Sequence, residues 1–314
     1  MAWIDTRPNH NTMENAYIRR INLDLICDRK MAYLKVLLDE ICGRKCFIAC
    51  NVWQNCDSRD NNFAIGDVHE YVLVYARNPD SFKKRRNLVA LDHKSKKTYT
   101  NPDGDRKGEW QSISYTGESF RTNQMYEIVA PNGNIHVPPE GRHWASLEPE
   151  SHRLFDAGRI WFGRVGNGVP RVKRYLTEVD GLVPWTWWPH DDVGHTGESK
   201  KESQALFGKS NPFPTPKLER LLERIISIAT KPGDIVLDSF AGSGTTGAVA
   251  HKMGRPWIMV ELEPHCVTHI VPRMPKVVEG LDSGGISGVH NLVRWRWFPL
   301  LPLNSVATSI GQVR

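Results

Sequence analysis

The side chains best suited to ligand chemistry lie in one glycine-rich stretch, DSFAGSGTTG at residues 238–247. Its glycines Gly242, Gly244 and Gly247 follow the spacing GxGxxG, and Glu261 lies about twenty residues after the start of the stretch. Glycines at this spacing let a ligand approach the backbone closely, and a carboxylate at that distance is suited to hold ribose hydroxyl groups. The pattern therefore predicts a site for a cofactor that contains adenosine.

Two such cofactors fit this loop, a nicotinamide dinucleotide and S-adenosylmethionine. A dinucleotide-binding loop usually brings its first glycine close to the strand end, whereas here Asp238-Ser-Phe-Ala comes first. S-adenosylmethionine has no pyrophosphate, so its site needs a carboxylate near its ammonium group rather than a helix N-terminus aimed at phosphate. Asp238 therefore favours S-adenosylmethionine, with a dehydrogenase or an ordinary turn without ligand as the alternatives.

The elements that must position this loop are readable on both sides of it. Residues 235–238 (IVLD) form a short buried strand, residues 245–252 a helix, and residues 257–262 (WIMVEL) a second strand that ends in acid. An amphipathic helix over residues 218–230 precedes them. This order predicts an α/β chain with a Rossmann-like fold, of which the loop is the cofactor-binding half.

The amino-terminal half begins with regular elements and then loses them. A helix is predicted over residues 31–41, and strands over residues 47–53 and 70–75. Between residues 78 and 208 short apolar runs alternate with Pro- and Gly-containing turns, which predicts a turn-rich insertion with little helical periodicity. Its tryptophans fit either base stacking or the insertion's own core, and core is the preferred interpretation for most of them. They are Trp110, Trp144, Trp161, Trp185, Trp187 and Trp188.

The formal charge of +6 is concentrated in one segment. Between Arg77 and Trp110 basic side chains outnumber acidic ones, with Tyr99 interleaved. Such a block is typical of binding to the phosphate backbone of nucleic acid, although a solvated surface is the alternative. The predicted DNA-binding residues are Lys83, Lys84, Arg85, Arg86, Lys94, Lys96 and Lys97.

Cysteine spacing and composition bound the remaining functions. Cys42, Cys46 and Cys50 lack the CxxC spacing of zinc sites, so we predict no metal and interpret them as small apolar side chains in a reducing compartment. No stretch reaches the roughly 18 apolar residues of a membrane span, and residues 1–20 do not resemble a secretory signal. A cytoplasmic protein is expected.

The glycine loop also carries a family resemblance. DSFAGSGTTG resembles the cofactor motif D-x-F-x-G-S-G-T-T of amino-group DNA methyltransferases, and FPTPK at residues 213–217 is similar to their F-x-T-P-K-P element, with Leu218 at the proline position. The order of motifs resembles that of the modification subunits of type III restriction-modification systems. Roughly residues 25–290 share this likeness, including MAYLKVLLDEICG, HEYVLVYARNP, NPDGDRKGEW, VPPEGRHW, GRIWFGRVGNGVPRVKRYL, DDVGHTGESKKE and VELEPHCVTHIVPRMPKVVEG.

The resemblance implies an adenine-specific DNA methyltransferase that uses S-adenosyl-L-methionine, acts on duplex DNA, and pairs with a second copy and a restriction subunit. It implies a partial methyltransferase core at residues 1–60, a target-recognition region at 61–209, a cofactor-binding subdomain at 210–285 and a divergent tail at 286–314. Glu261 would bind the ribose. The other cofactor-binding residues it implies are Asp238, Phe240, Gly242, Ser243, Gly244, Thr245, Thr246, Thr215 and Lys217.

One family element is missing from the sequence. These enzymes act through a D/N/S-P-P-Y/F/W motif, whose oxygens accept hydrogen bonds from the target amine and whose aromatic ring stacks on the flipped base. The nearest strings are DTRP at residues 5–8, VPPE at 137–140 and NPFP at 211–214, and each departs from the motif. The catalytic residues are therefore unassigned. A truncated or frameshifted remnant that keeps cofactor or DNA binding is the alternative to an active enzyme.

The tail departs from the family as well. Family members tend to end in a glycine-rich aromatic run, whereas residues 293–303 read VRWRWFPLLPL. With permitted codons, a reading frame one base forward gives CGGGGFRYYR, which is close to that ending. A frameshift that begins near Asn291 is one explanation, and a novel tail is the other.

Overall fold

The structure is a computed structural model that describes residues 2–5, 20–58 and 64–289. The chain divides into two compact units. The first unit comprises Met1–Asn87 and Pro184–Arg314, and the second comprises Leu88–Val183. The predicted recognition region of residues 61–209 thus has its middle in the second unit and its two ends in the first.

Strands and α-helices follow one another in short runs along the described chain, and strict alternation occurs only over residues 219–278. The strands are β1 Ala2–Asp5, β2 Arg20–Ile26, β3 Phe47–Gln54, β4 His69–Ala76, β5 Trp110–Ser114, β6 Thr116–Glu118, β7 Ile128–Val129, β8 Ile135–His136, β9 Arg142–Trp144, β10 Ile160–Trp161, β11 Arg171–Tyr175, β12 Trp187–Trp188, β13 Ile235–Asp238 and β14 Trp257–Met259. The α-helices are α1 Asp28–Cys42, α2 Pro79–Arg85, α3 His93–Lys97, α4 Glu148–Asp156, α5 His190–Val193, α6 Thr196–Phe207, α7 Glu219–Ala229, α8 Thr245–Lys252 and α9 Val271–Val278.

The first unit is built on a mixed sheet of seven strands in the order β12-β3-β4-β2-β1-β13-β14. Strands β13 and β14 are parallel and are joined through α8, which gives the β-loop-α-β arrangement of a Rossmann-like fold. The predicted α/β class with a Rossmann-like fold is confirmed. Strand β1 is antiparallel to both of its neighbours, with Ala2 opposite Asp238 and Asp5 opposite Ile235.

The core of this unit forms where sequence periodicity predicts it. Helix α7 buries an apolar stripe that includes Leu221, Ile225 and Ile226, because these residues recur at helical spacing. Strands β13 and β14 and helices α1, α7 and α8 lie close to their predicted bounds, although β14 ends at Met259 rather than residue 262. Helix α6 was not predicted.

The cysteines near α1 belong to this packing. Cys42, Cys46 and Cys50 are partly buried against a cluster formed by Leu38, Leu73 and Tyr75, which confirms their interpretation as small apolar side chains. None of the six cysteines, all of which lie in the described residues, forms a disulfide bond. Among the residues that the structure describes, no group of three His, Cys, Asp or Glu side chains is arranged to hold a metal ion.

The second unit consists of small sheets around buried aromatic rings. A three-stranded sheet has the order β10-β11-β5, and β6-β9 and β7-β8 form two-stranded pairs. Trp144 is fully buried and stacks on Tyr115 with ring centroids 5.8 Å apart. Trp110 is also buried, whereas Trp185 and Trp187, which lie in the first unit, are half exposed. The predicted core role therefore fits only some of the six tryptophans.

No helix in the described part of the chain is both long and apolar enough to cross a lipid bilayer.

Candidate cofactor site

Asp238 ends strand β13 and organises the loop that follows. It is buried, and its Oδ1 accepts a hydrogen bond from the backbone N–H of Phe240 at 3.0 Å. Its Oδ2 accepts a hydrogen bond from the hydroxyl of Thr246 at 2.6 Å. The carboxylate therefore ties the strand end to the first turn of α8, so that the intervening backbone is held in one conformation.

Two glycines of the loop have conformations that other residues adopt at a cost. Gly242 has φ +55° and Gly244 has φ +76°, both in the left-handed region. A Cβ on Gly242 would lie 3.0 Å from the ring of Phe213, and one on Gly244 would lie 3.3 Å from Ile270. The glycines are needed here because both the dihedral angles and the neighbouring side chains leave little room.

Glu261 follows β14 by two residues and reaches back to the same loop. Its Oε2 accepts the backbone N–H of Gly242 at 2.6 Å, and its Oε1 accepts the backbone N–H of Glu263 at 3.0 Å. A carboxylate offers about four acceptor positions, so each oxygen keeps capacity for a ligand hydroxyl group. The two acids predicted from sequence, Asp238 and Glu261, thus both accept hydrogen bonds from the same glycine loop.

A buried ionic cluster contacts the glycine loop through Arg273. No sequence pattern predicted this cluster. Arg273 donates through Nη1 to the carbonyl oxygen of Ser243 at 3.2 Å and to the hydroxyl of Thr245 at 2.9 Å, and through Nη2 to Glu219 at 2.8 Å. Lys252 Nζ lies 2.9 Å from both oxygens of Glu219 and 3.0 Å from Asp282. The cluster links α7, α8 and α9, which are distant in sequence.

A patch of aromatic and imidazole rings lies on the Gly242 side of the loop. Phe213 packs edge-on against His265 and His269, with ring centroids 4.9 and 5.4 Å apart. His269 is buried in a short π-helical segment, Cys266–Ile270, that leads into α9, and burial lowers its pKa. A lowered pKa favours the neutral imidazole near neutral pH. His269 therefore contributes a neutral ring to the patch beside the loop.

The remaining predicted cofactor residues are placed differently. Phe240 is 72% exposed, which leaves an apolar ring at the surface of the loop. Thr215 is exposed. Lys217 lies 2.5 Å from Glu70 on β4 and 5.4 Å from the ring of Trp53 on β3, so its ammonium group is held at those strands.

The predicted DNA-binding residues are divided between the two units. Lys83, Lys84, Arg85 and Arg86 lie in or directly after α2 in the first unit, and Lys94, Lys96 and Lys97 lie in α3 in the second. Lys83, Lys84 and Arg85 are exposed, as are Lys96 and Lys97. The basic block is continuous in sequence, but its residues belong to two different units of the structure.

Of the strings nearest to the missing catalytic motif, NPFP lies beside the glycine loop, because a Cβ on Gly242 would lie 3.0 Å from the ring of Phe213. Only Asp5 of the DTRP string is described, and it pairs with Ile235 at the opposite end of β13 from Asp238. Ile235 and Asp238 are three residue steps apart along the strand, which corresponds to about 10 Å. The VPPE string lies in the second unit, and the tail from residue 290 lies outside the described residues.

Comparisons with known proteins identify relatives of this chain. The N6_N4_Mtase family, described as DNA methylase, matches residues 19–272. The Mod subunit of the type III restriction-modification enzyme StyLTI from Salmonella typhimurium is 33% identical over 229 residues, which cover 70% of this chain and 33% of that protein. The type II methyltransferase M.EcaI from Enterobacter cloacae is 31% identical over 232 residues, which cover 73% of this chain and 47% of that protein.

The chain thus spans between a third and a half of the length of these two relatives. Among solved structures, the M1.HpyAVI-SAM complex aligns with a TM-score of 0.34 and 16% identity, covering 80% of this chain and 72% of that one. That structural likeness is too weak to add to the family match.

Proposed function

Because the chain belongs to the N6_N4_Mtase family of DNA methylases, whose methyl donor is S-adenosyl-L-methionine, we propose that it transfers a methyl group to the N6 amine of adenine in duplex DNA. We further propose that it does so as the modification part of a type III restriction-modification system in the cytoplasm. Adenine N6, rather than cytosine N4, follows from the likeness to Mod subunits. The same likeness is the reason to propose a restriction subunit and a second copy of this chain as partners.

The observation that carries the proposal is the convergence of Asp238 and Glu261 on one glycine loop. S-adenosylmethionine has an ammonium group, a sulfonium, a ribose and an adenine ring. Asp238 is suited to the ammonium group, and Glu261 has acceptor capacity for ribose hydroxyl groups. The left-handed glycines keep side chains away from the loop backbone, and the exposed ring of Phe240 offers an apolar surface. The residues present therefore fit the cofactor.

When bound, S-adenosylmethionine supplies an electrophilic methyl group on sulfur. The chain's own part is to hold that group in place and to fix the position of Asp238, since a mobile loop would lose the alignment that methyl transfer needs. Arg273 contributes by holding the Ser243 carbonyl oxygen and the Thr245 hydroxyl. Ser243, Thr245 and Thr246 are buried, so we assign them to the loop's internal framework.

A second candidate function is binding of cofactor and DNA without methyl transfer. It is favoured by one observation: the sequence holds a single Pro-Pro pair, Pro138-Pro139, and no aromatic residue follows it. Strand β1, next to β13, runs antiparallel to it, so Asp5 lies opposite Ile235, at the end of β13 away from the glycine loop.

Methyl transfer and cofactor binding, measured on the same preparation, separate the two functions. The full chain is incubated with methyl-labelled S-adenosylmethionine and mixed-sequence duplex DNA, and cofactor binding is titrated in parallel. Methylated adenine supports the first function, cofactor binding without transfer supports the second, and no cofactor binding refutes both.

The Asp238→Ala variant tests the site itself. We expect it to lose cofactor affinity by at least tenfold, because a charged hydrogen-bonding partner is worth about 1.5–3 kcal/mol. The matched control is Asp234→Ala, which removes an acid that caps the turn before the same strand. Equal losses in the two variants would show that the effect is a general destabilisation of β13 and would contradict the assigned site.

A further inference from the structure

One loop of the second unit is held rigidly at both of its ends. Residues 119–125 connect β6 to the turn that contains Tyr126. Before the loop, Tyr115 stacks on Trp144, and after it the indole N–H of Trp144 donates to the carbonyl oxygen of Tyr126 at 2.7 Å. Because Trp144 is fully buried, a single fixed side chain anchors both ends.

The same loop carries local strain that its surroundings maintain. Ser119 has φ +86°, and it is the one non-glycine residue with positive φ in the described part of the chain. The buried His143 donates through Nδ1 to the Ser119 carbonyl oxygen at 2.9 Å. A Cβ on Gly117 would lie 2.7 Å from His143 Nε2, so glycine is what lets the ring approach. Strained backbone conformations that are held in place by surrounding contacts occur most often at functional sites, including ligand-binding sites.

The fixed loop presents two side chains outward. Phe120 is 65% exposed, and Arg121 beside it is also exposed. The buried Gln124 accepts a hydrogen bond from Arg121 Nη1 at 3.4 Å, which orients the guanidinium group. An exposed aromatic ring and an oriented Arg are the groups that stack on a base and read guanine by paired hydrogen bonds.

We propose that residues 119–123 form a base-reading loop, in which Phe120 contacts the face or methyl group of a base and Arg121 donates to a base edge of duplex DNA. The inference rests on the proposed function, since it assumes that DNA is the substrate. It deepens that function by assigning sequence preference to two side chains. Glu118, at the end of β6, adds a negative charge next to the loop that disfavours a purely electrostatic contact with phosphate.

Selection from a random duplex library tests the loop directly. The full chain and its variants are mixed with the library, bound DNA is sequenced, and affinity is measured across a series of salt concentrations. For Phe120→Ala and Arg121→Ala we expect the preference at one or two base positions to fall at least fivefold, with the slope of affinity against salt unchanged. Val165→Ala and Arg164→Ala are the matched controls, an adjacent exposed pair in the same unit.

A Ser119→Gly variant distinguishes rigid presentation from a merely structural role. Glycine accepts the left-handed conformation without strain, so thermal stability should be unchanged or raised while the base preference weakens. Three results would overturn the inference and leave the proposed function standing. They are an unchanged base preference in both Phe120→Ala and Arg121→Ala, a smaller slope of affinity against salt in Arg121→Ala, and duplex binding by the unsubstituted chain without any base preference. Failure of the unsubstituted chain to bind duplex DNA overturns both.

Discussion

The buried ionic cluster beneath the glycine loop makes Lys252 a sharp test of how this fold is held together. Lys252 is 1% exposed and faces Glu219 and Asp282, which are also buried. Replacement by Met keeps the length of the side chain and removes the positive charge. Glu219 then keeps its ion pair with Arg273, whereas the ion pair between Lys252 and Asp282 is lost. Breaking a buried ion pair on one side costs about 3–5 kcal/mol, because an uncompensated charge stays out of water.

Amide hydrogen exchange of α8 reports this free energy, since the opening of that helix exposes the cluster. We expect Lys252→Met to lower the opening free energy by about 3–5 kcal/mol. Adding Asp282→Asn should restore about 1–3 kcal/mol, because the neutral amide removes the excess negative charge. The control is Lys231→Met, which changes an exposed lysine in the same unit. Additivity of the two substitutions within about 0.5 kcal/mol would refute the coupling.

Three further predictions concern the surroundings of the loop. Burial next to Glu219 raises the pKa of Glu202 to about 7, so the folded state loses stability as Glu202 ionises between pH 5 and pH 8. The thermal midpoint of Glu202→Gln should therefore exceed that of the unsubstituted chain at pH 8 and match it at pH 5. An equal difference in thermal midpoint at both pH values would contradict this explanation. Gly242→Ala and the control Gly133→Ala, both at positive φ, should each lose about 1–2 kcal/mol of stability, and only Gly242→Ala should weaken cofactor binding in a titration. Glu261→Gln should raise the dissociation constant of the cofactor about tenfold or more, because its neutral side chain keeps a single acceptor oxygen, whereas Glu263→Gln should leave it unchanged.

The cofactor half could be predicted from sequence because its signals are local. A short apolar strand, a run of glycines and a helix follow one another without interruption, and β13 and α8 have their predicted bounds. Asp238 and Glu261 were identifiable because Asp238 is the last residue of one strand of that unit and Glu261 comes shortly after the next. Their hydrogen bonds to Phe240 and Gly242 span only a short stretch of chain.

Other features required the tertiary structure. Helix α6 reads TGESKKESQALF, and its few apolar residues give almost no periodic pattern. Glu219, Lys252 and Arg273 look like ordinary surface charges in sequence, and their burial depends on the packing of three helices. The basic block is continuous in sequence but is cut by the boundary between the two units, which no composition change marks.

The position of strand β1 affects how the sheet assembles as well as what it does. Strand β1 (Ala2–Asp5) pairs with β2 on one side and with β13 on the other. Strands β1 and β13, which are far apart in sequence, must therefore meet before the sheet is continuous. Pairings between such distant segments form slowly, because a long loop has to close first. During synthesis β1 presents an open edge until β13 is available, and open edges promote association between nascent chains. The yield of folded protein should therefore depend more on how long that edge stays unpaired than on the stability of the completed sheet.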